Sequence, residues 1–93
     1  MATYLMFGEY SAGAIDEISP DRTAAANGVI ADCGGKAEAG YVLLGEKDLV
    51  LIVDFPSTEA AIKASLGLSK LLGISFSTCP AISIEEFDKL LVA

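Results

Sequence analysis

The chain of 93 residues contains no histidine, two cysteines and six basic residues. Histidine is the usual general base near neutral pH and the most frequent metal ligand, so its absence argues against the common zinc and acid–base sites. Cys33 and Cys79 lie far apart and form no CxxC pair, which favours two free thiols. The sequence also lacks a glycine-rich phosphate loop and a calcium-type carboxylate loop. We therefore expect no metal, no cofactor and no catalytic residue of these kinds.

Positive charge is scarce as well, because six basic residues stand against thirteen acidic ones and give a net charge of −7. A surface of that sign repels nucleic acid and anionic membranes. The opening stretch MATYLMFGEY lacks the basic start and apolar region of a secretion signal, and no run approaches the roughly 18 apolar residues of a membrane span. We expect a soluble, cytoplasmic protein that binds neither nucleic acid nor a membrane.

Hydrophobic residues, in contrast, are abundant, at 53% of the chain. Residues 1–93 have the length of a single domain, and a domain this small buries only about 60–65% of its unfolded surface. The stretch 49–53 reads Leu-Val-Leu-Ile-Val without a polar residue. Because a strand turns alternate side chains to opposite faces, this strand is apolar on both. The chain thus has more apolar surface than a small monomer easily covers, which indicates a partner.

The patterns of apolar residues and turn formers predict four strands and three helices. The strands are expected over residues 3–10, 36–45, 49–55 and 74–82, and the helices over residues 20–33, 58–72 and 84–91. Serines at 19, 57 and 83 suit the N-cap positions of the helices, and Ser83 with Glu86 has the spacing of a capping box. Pro80 has no N–H for a strand ladder, so the last strand should lie at a sheet edge or end at this residue.

This order, β-α-β-β-α-β followed by a short C-terminal helix, predicts an α+β, ferredoxin-like fold with a four-stranded antiparallel sheet. Right-handed crossovers place both long helices on one face and leave the other face open. An apolar open face marks an interface or a ligand site, and we expect a two-fold homodimer with the sheets face to face. We assign Leu5, Phe7, Leu51 and Val53 to the helix-facing side. The expected dimer interface consists of Tyr4, Met6, Val50 and Ile52.

Four stretches of the sequence, ATYLMFGEYS, SPDR, GGKAEAGYVLLGEKDLVLIVDFP and EEF, resemble the GYD family, which is named for a Gly-Tyr-Asp signature around the hairpin. The resemblance covers nearly the whole chain and implies a ferredoxin-like fold of the dimeric α/β-barrel type. The family has no established general activity. Gly45 and Asp48 fit the signature, but Lys47 stands where the tyrosine is usual. The stretch STCPAI also departs from the threonine-rich, arginine-containing last strand that is expected in many members of the family.

The candidate ligand-binding residues are Tyr10, Arg22, Tyr41 and Asp48. Arg22, the only arginine, would hold a carboxylate or phosphate through two hydrogen bonds. Its alternative is a surface ion pair with Asp21, Glu17 or Glu9. The tyrosines either line a pocket or pack in the core and interface, and Asp48 either orients a ligand or serves as a turn former.

Three function classes remain open. The first is a homo-oligomeric module that binds or senses a small apolar or amphipathic molecule. The second is a cofactor-independent enzyme of the dimeric α/β-barrel kind, similar to a monooxygenase or isomerase. The third is a purely structural oligomer. The lack of histidine and of clustered polar groups favours the first.

Overall fold

The computed structural model of the protein describes residues 1–92, which form four strands and four helices. The elements in chain order are β1 (Ala2–Tyr10), α1 (Ala12–Ile15), α2 (Pro20–Asp32), β2 (Lys36–Val42), β3 (Leu49–Phe55), α3 (Thr58–Leu72), β4 (Ile74–Ala81) and α4 (Ile84–Leu90). The sheet has the order β2-β3-β1-β4, with every neighbouring pair antiparallel. The α+β, ferredoxin-like fold expected from the sequence is confirmed, and β4 is an edge strand as Pro80 indicated.

A short helix in the first connection and an early end of β2 complete the architecture. A short helix, α1, follows β1 and is capped by Ser11, whose hydroxyl accepts the amide of Ala14 at 3.2 Å. β2 ends at Val42, so a loop of residues 43–48 replaces the expected tight turn. The amide of Leu43 donates to the carbonyl of Asp48 at 2.8 Å and closes this loop.

Helix α3 has well-defined ends. The hydroxyl of Ser57 accepts the amide of Ala60 at 3.1 Å, which satisfies one of the free N–H groups of the first turn. Gly73 ends the helix at φ 67°, a left-handed conformation that glycine adopts without steric cost. α2 and α3 pack against each other and cover one face of the sheet.

The core lies between these helices and the sheet. Its largest fully buried side chains are Phe55, Met6, Leu68 and Val53. The ring of Tyr4 meets that of Phe55 edge to face with the centroids 5.7 Å apart, and its hydroxyl lies 3.0 Å from that of Thr58. Tyr4 therefore joins the apolar core while its polar atom reaches the start of α3.

This arrangement corrects the expected faces of β1. Tyr4 pairs with Val53 and Met6 with Leu51, and residues directly opposite in a sheet share a face. Tyr4 and Met6 are buried under the helices, so they do not belong to the open-face interface. Leu5 pairs with Ile52, and Leu5 and Phe7 lie on the open face instead. For β3 the expected assignment agrees with the structure, since Val53 is in the helix-facing core.

The open face is apolar in the middle and polar at its margins. Register places Leu5, Phe7, Val50 and Ile52 at its centre on the two central strands. Along β4 this face carries Ser75, Ser77 and Cys79, which are exposed. Within residues 1–92, no helix lies across it. Strand β3 is therefore apolar on both faces in the folded chain, as its sequence indicated.

Helix α4 makes little contact with the rest of the described chain. It is well capped, because the hydroxyl of Ser83 accepts the amide of Glu86 at 3.1 Å. None of its residues is buried. Its apolar side and the two residues that follow the helix are 50–79% exposed. These residues are Ile84, Phe87, Leu90, Leu91 and Val92.

Candidate functional site

A cavity of about 110 Å³ lies between α2 and the helix-facing side of the sheet, and is partly open to solvent. Its floor is apolar and is formed by Leu49, Leu51, Leu72, Ile74 and Phe76, with Ala26 on the helix side. These residues come from β3, β4 and the end of α3, so the cavity sits where four elements meet. An apolar hollow with a few polar groups around it is the usual form of a small-molecule site.

The polar groups lie around the mouth of this cavity. They are the side chains of Tyr10, Ser19, Arg22, Thr23 and Asn27, contributed by the end of β1 and the first two turns of α2. The lining residues include no carboxylate, imidazole or thiol among the residues that the structure describes. The groups available to a bound molecule are thus hydroxyls, an amide and one guanidinium.

The guanidinium of Arg22 is already engaged in the protein. Its Nη1 donates to Oε2 of Glu17 at 2.8 Å, and its Nη2 donates to the carbonyl of Leu72, the last residue of α3. The side chain is only 20% exposed, whereas that of Glu17 is 73% exposed. Arg22 therefore bridges α2 and the end of α3 at the mouth of the cavity, and Glu17 neutralises its charge.

Asp48 holds the end of β1. Its Oδ2 accepts the main-chain amide of Tyr10 at 2.8 Å, and its own amide donates to the carbonyl of Gly8 at 2.9 Å. Asp48 is not among the lining residues, but it fixes the backbone of a residue that is.

Of the four residues expected to bind a ligand, two meet at the cavity. Tyr10 and Arg22 both line it, Asp48 contacts the backbone of Tyr10, and Tyr41 lies apart on β2, where it pairs with Val50 and is 60% exposed. Sequence reasoning did not single out the floor residues or Ser19, Thr23 and Asn27. One signal pointed to the floor: a glycine inside a strand, Gly8, marks a close approach of neighbouring groups.

The margins of the open sheet face carry two polar pairs. Nζ of Lys47 lies 2.8 Å from Oε1 of Glu9, and this hydrogen bond raises the pKa of Lys47 above its ordinary value. At the opposite end of the face, the hydroxyl of Thr3 donates to Oδ1 of Asp54 at 2.7 Å. That bond, with a further contribution from Glu38, lowers the pKa of Asp54 below its ordinary value.

Residues 1–92 contain no group of three histidine, cysteine, aspartate or glutamate side chains placed to hold a metal ion. Both cysteines in this range are free, Cys33 half-buried and Cys79 exposed. No helix in the described part of the chain has both the length and the apolar character needed to cross a bilayer.

The profile of the GYD domain matches residues 4–91, nearly the whole chain. The protein belongs to the GYD domain family. A search of the curated proteins by sequence finds no match. The membership confirms the resemblance seen in the hairpin, and it brings no specific function with it.

The fold of this GYD domain is also found in larger proteins. It is similar to the leucine response regulatory protein LrpA of Mycobacterium tuberculosis, with a TM-score of 0.58 and 12% identity over 88% of this chain and 51% of that one. It is similar to a homoserine dehydrogenase from Thiobacillus denitrificans, with a TM-score of 0.55 and 16% identity over 85% of this chain and 17% of that one. The GYD chain spans about half of LrpA and 17% of the homoserine dehydrogenase, and identities this low show the fold alone.

Proposed function

We propose that this GYD domain is a homodimeric module that binds a small amphipathic molecule in the cavity beneath α2. The observation that carries the proposal is the cavity itself, with its floor of five large apolar side chains and its polar mouth. The apolar part of the ligand lies on the floor, between Leu51 and Phe76. Its polar end lies among the hydroxyl and amide groups of Tyr10, Thr23 and Asn27.

The side chains around the mouth of the cavity favour a ligand with a neutral polar end over a ligand with an anionic one. A carboxylate ligand has to compete with Glu17, whose oxygen is 2.8 Å from Arg22. Hydroxyls and an amide, in contrast, both donate and accept hydrogen bonds to a neutral group. The size of the cavity, about 110 Å³, is below the roughly 300 Å³ at which drug-sized pockets begin. The ligand is therefore small, or extends through the open side into solvent.

The same lining favours binding over acid–base catalysis. A general base must lie within hydrogen-bond reach of the proton that it removes. Among the described residues, the lining offers no carboxylate, imidazole or thiol for that purpose. A cofactor-independent enzyme is accordingly the weaker alternative.

The dimer is proposed from the open face of the sheet. Its centre is formed by Leu5, Phe7, Val50 and Ile52, and a second copy covers this centre when the two sheets pack face to face. Sheets packed in this way lie about 10 Å apart, so their side chains interdigitate without a helix between them. The ligand cavity is on the other side of the sheet, and binding and dimerisation therefore use separate surfaces.

The test of the binding site is an NMR titration with p-cresol, a small phenol. We expect saturable shifts of backbone amides confined to the cavity, including those of Tyr10 and Thr23. Ala26→Leu fills the cavity from α2 and should weaken binding by about tenfold or more, a loss of about 1.4 kcal/mol or more. Ala25→Leu adds the same side chain at an exposed position of α2 and should leave binding unchanged.

Benzoate is a matched anionic probe, because it is close to p-cresol in size and its ring carries a single carboxylate in place of the hydroxyl and methyl groups. The proposal expects benzoate to bind more weakly than p-cresol. Shifts scattered over the surface without saturation, or equal affinity in Ala26→Leu and Ala25→Leu, would refute the site. Recovery of a chemically altered probe would support the enzyme alternative instead.

A further inference from the structure

Helix α4 is a formed, amphipathic helix whose apolar side is at least half exposed and makes little contact with its own chain. Ser83 caps it, and its polar side carries Glu85 and Lys89, whose charged atoms are 4.0 Å apart. A surface helix of a single domain normally turns its apolar side to the core. We propose that α4 is an arm that packs against a second copy of this chain, at the margin of the open sheet face, as part of the same dimer.

The first argument is the size of the open face. Four strands about 4.8 Å apart and seven residues long, at about 3.3 Å per residue, project to roughly 440 Å². A standard stable interface buries about 800 Å² on each partner. The projected sheet face alone is thus a little over half of that figure.

The second argument is that α4 supplies the missing area. Five apolar side chains on and after the helix are at least half exposed. Full burial amounts to about 60–120 Å² for each aliphatic side chain and more for the phenylalanine. Because these side chains are 50–79% exposed, covering them adds on the order of 300 Å² per chain. Together with the sheet face, this brings each partner close to the standard interface size.

The third argument is that α4 is too small to cover the open face of its own chain. A helix of seven residues is about 10.5 Å long and about 10 Å wide, so it covers roughly a quarter of the sheet face. Most of Leu5, Phe7, Val50 and Ile52 would stay exposed. A second copy, in contrast, covers the sheet with its own sheet and meets α4 at the margin.

Two-fold symmetry makes the arrangement reciprocal, so that each copy both gives and receives an arm. The capping of α4 prepares the helix before contact, which lowers the entropy lost on binding. The arm places Phe87 and Leu90 against the partner, and leaves Glu85 and Lys89 toward solvent.

The proposal is tested with two matched double variants. F87S/L90S removes the apolar side of α4, and E85S/K89S places the same number of serines on its polar side. Analytical ultracentrifugation should show a wild-type dimer whose dissociation constant rises about tenfold or more in F87S/L90S and stays within about twofold in E85S/K89S. Circular dichroism checks that both variants keep the fold.

Cross-links between the five lysines of the chain test where α4 lies in the wild type. Nitrogen-15-labelled and unlabelled protein are unfolded together, refolded and treated with an amine cross-linker. The proposal predicts mixed-isotope cross-links from Lys89 to Lys36 or Lys47, at the margins of the open face. Cross-links confined to one isotope would place α4 on its own chain. Cross-links to Lys63 or Lys70 would place it in the groove between α2 and α3. Either result overturns the arm.

The inference rests on the proposed face-to-face dimer, and the outcomes separate the two. A wild-type monomer at micromolar concentration overturns both the dimer and the arm. A wild-type dimer that F87S/L90S leaves intact overturns the arm alone. Binding of p-cresol is read on the other side of the sheet and is not affected by either result.

Discussion

The main-chain amide of Tyr10 and the carboxylate of Asp48 are joined by a hydrogen bond of 2.8 Å, at the point where β1 meets the loop before β3. The amide of Asp48 donates in turn to the carbonyl of Gly8. This pair of bonds fixes the end of β1 and with it a tyrosine at the mouth of the cavity. Asp48, a residue of the family signature, is thus placed to position Tyr10 through the backbone.

Asp48→Ala should lower the free energy of unfolding by about 1–3 kcal/mol, because it leaves the amide of Tyr10 without its charged acceptor. Asp48→Asn keeps an acceptor oxygen and should cost less. Urea unfolding followed by circular dichroism measures both. Glu46→Ala, at an exposed position of the same loop, is the control and should stay within about 0.5 kcal/mol of the wild type. Equal losses in Asp48→Ala and Glu46→Ala would contradict this role.

Gly8→Ala should also destabilise the protein. The added Cβ would lie 2.9 Å from Cδ2 of Leu49 and 2.9 Å from Cε1 of Phe76, both of which line the cavity. Overpacking of this kind costs about 1–3 kcal/mol. Gly28→Ala is the matched control, since a Cβ there meets nothing within 4 Å and alanine favours the interior of α2. Gly28→Ala should raise the free energy of unfolding by up to about 1 kcal/mol. In thermal unfolding, Gly8→Ala should therefore lower the melting temperature and Gly28→Ala should raise it.

Arg22→Ala should lower the free energy of unfolding by about 1–2 kcal/mol. The reason is its bond to the carbonyl of Leu72, one of the last carbonyls of α3, which have no partner within the helix. Glu17→Ala removes only a largely exposed ion pair and should change stability by less than about 0.5 kcal/mol. Chemical unfolding of both variants measures separately how much each of the two guanidinium bonds contributes to the free energy of unfolding. A loss in Glu17→Ala as large as in Arg22→Ala would show that the ion pair is the main contribution.

The pair of Thr3 and Asp54 predicts a change in stability at acid pH. The pKa of Asp54 is lowered in the folded chain, mainly by the hydroxyl of Thr3. The stability that this contributes is present above the unfolded pKa of about 3.9 and is lost as the pH falls through the folded value. Thr3→Val should therefore melt at a lower temperature than the wild type at pH 6, and the difference should shrink below pH 4. A difference that stays constant down to pH 2 would contradict the assignment.

The order of the strands and of the three longer helices could be predicted from the sequence, because turn formers and apolar spacing mark them. The hydroxyls of Ser57 and Ser83 cap α3 and α4 as expected, whereas Ser19 precedes α2 without a side-chain cap bond.

The faces of β1 could not be predicted in this way. Leu5 and Phe7 are as apolar as Tyr4 and Met6, so alternation does not show which pair faces the helices. The register decides it, since Met6 lies opposite Leu51. Register depends on contacts between distant segments, which single-strand patterns do not contain.

The candidate site was predicted only in part, for a similar reason. Tyr10 and Arg22 are distinctive residues, and the structure brings both to one cavity. Its floor consists of ordinary core residues such as Leu51 and Phe76, which look the same in sequence whether they enclose a hollow or fill it. Tyr41 has the same chemistry as Tyr10, yet its register opposite Val50 places it on the open face, away from the cavity.

The two edges of the sheet affect how this apolar chain can associate. Exposed strand edges serve as templates for fibrils, in which strands add without limit. In β2 the register shifts between Ala37 and Ala39, with the charged Glu38 at the irregularity and Lys36 beside it. In β4, Pro80 has no N–H to offer to an added strand. Both features hinder growth by edge pairing, which leaves the sheet face as the surface for the proposed dimer.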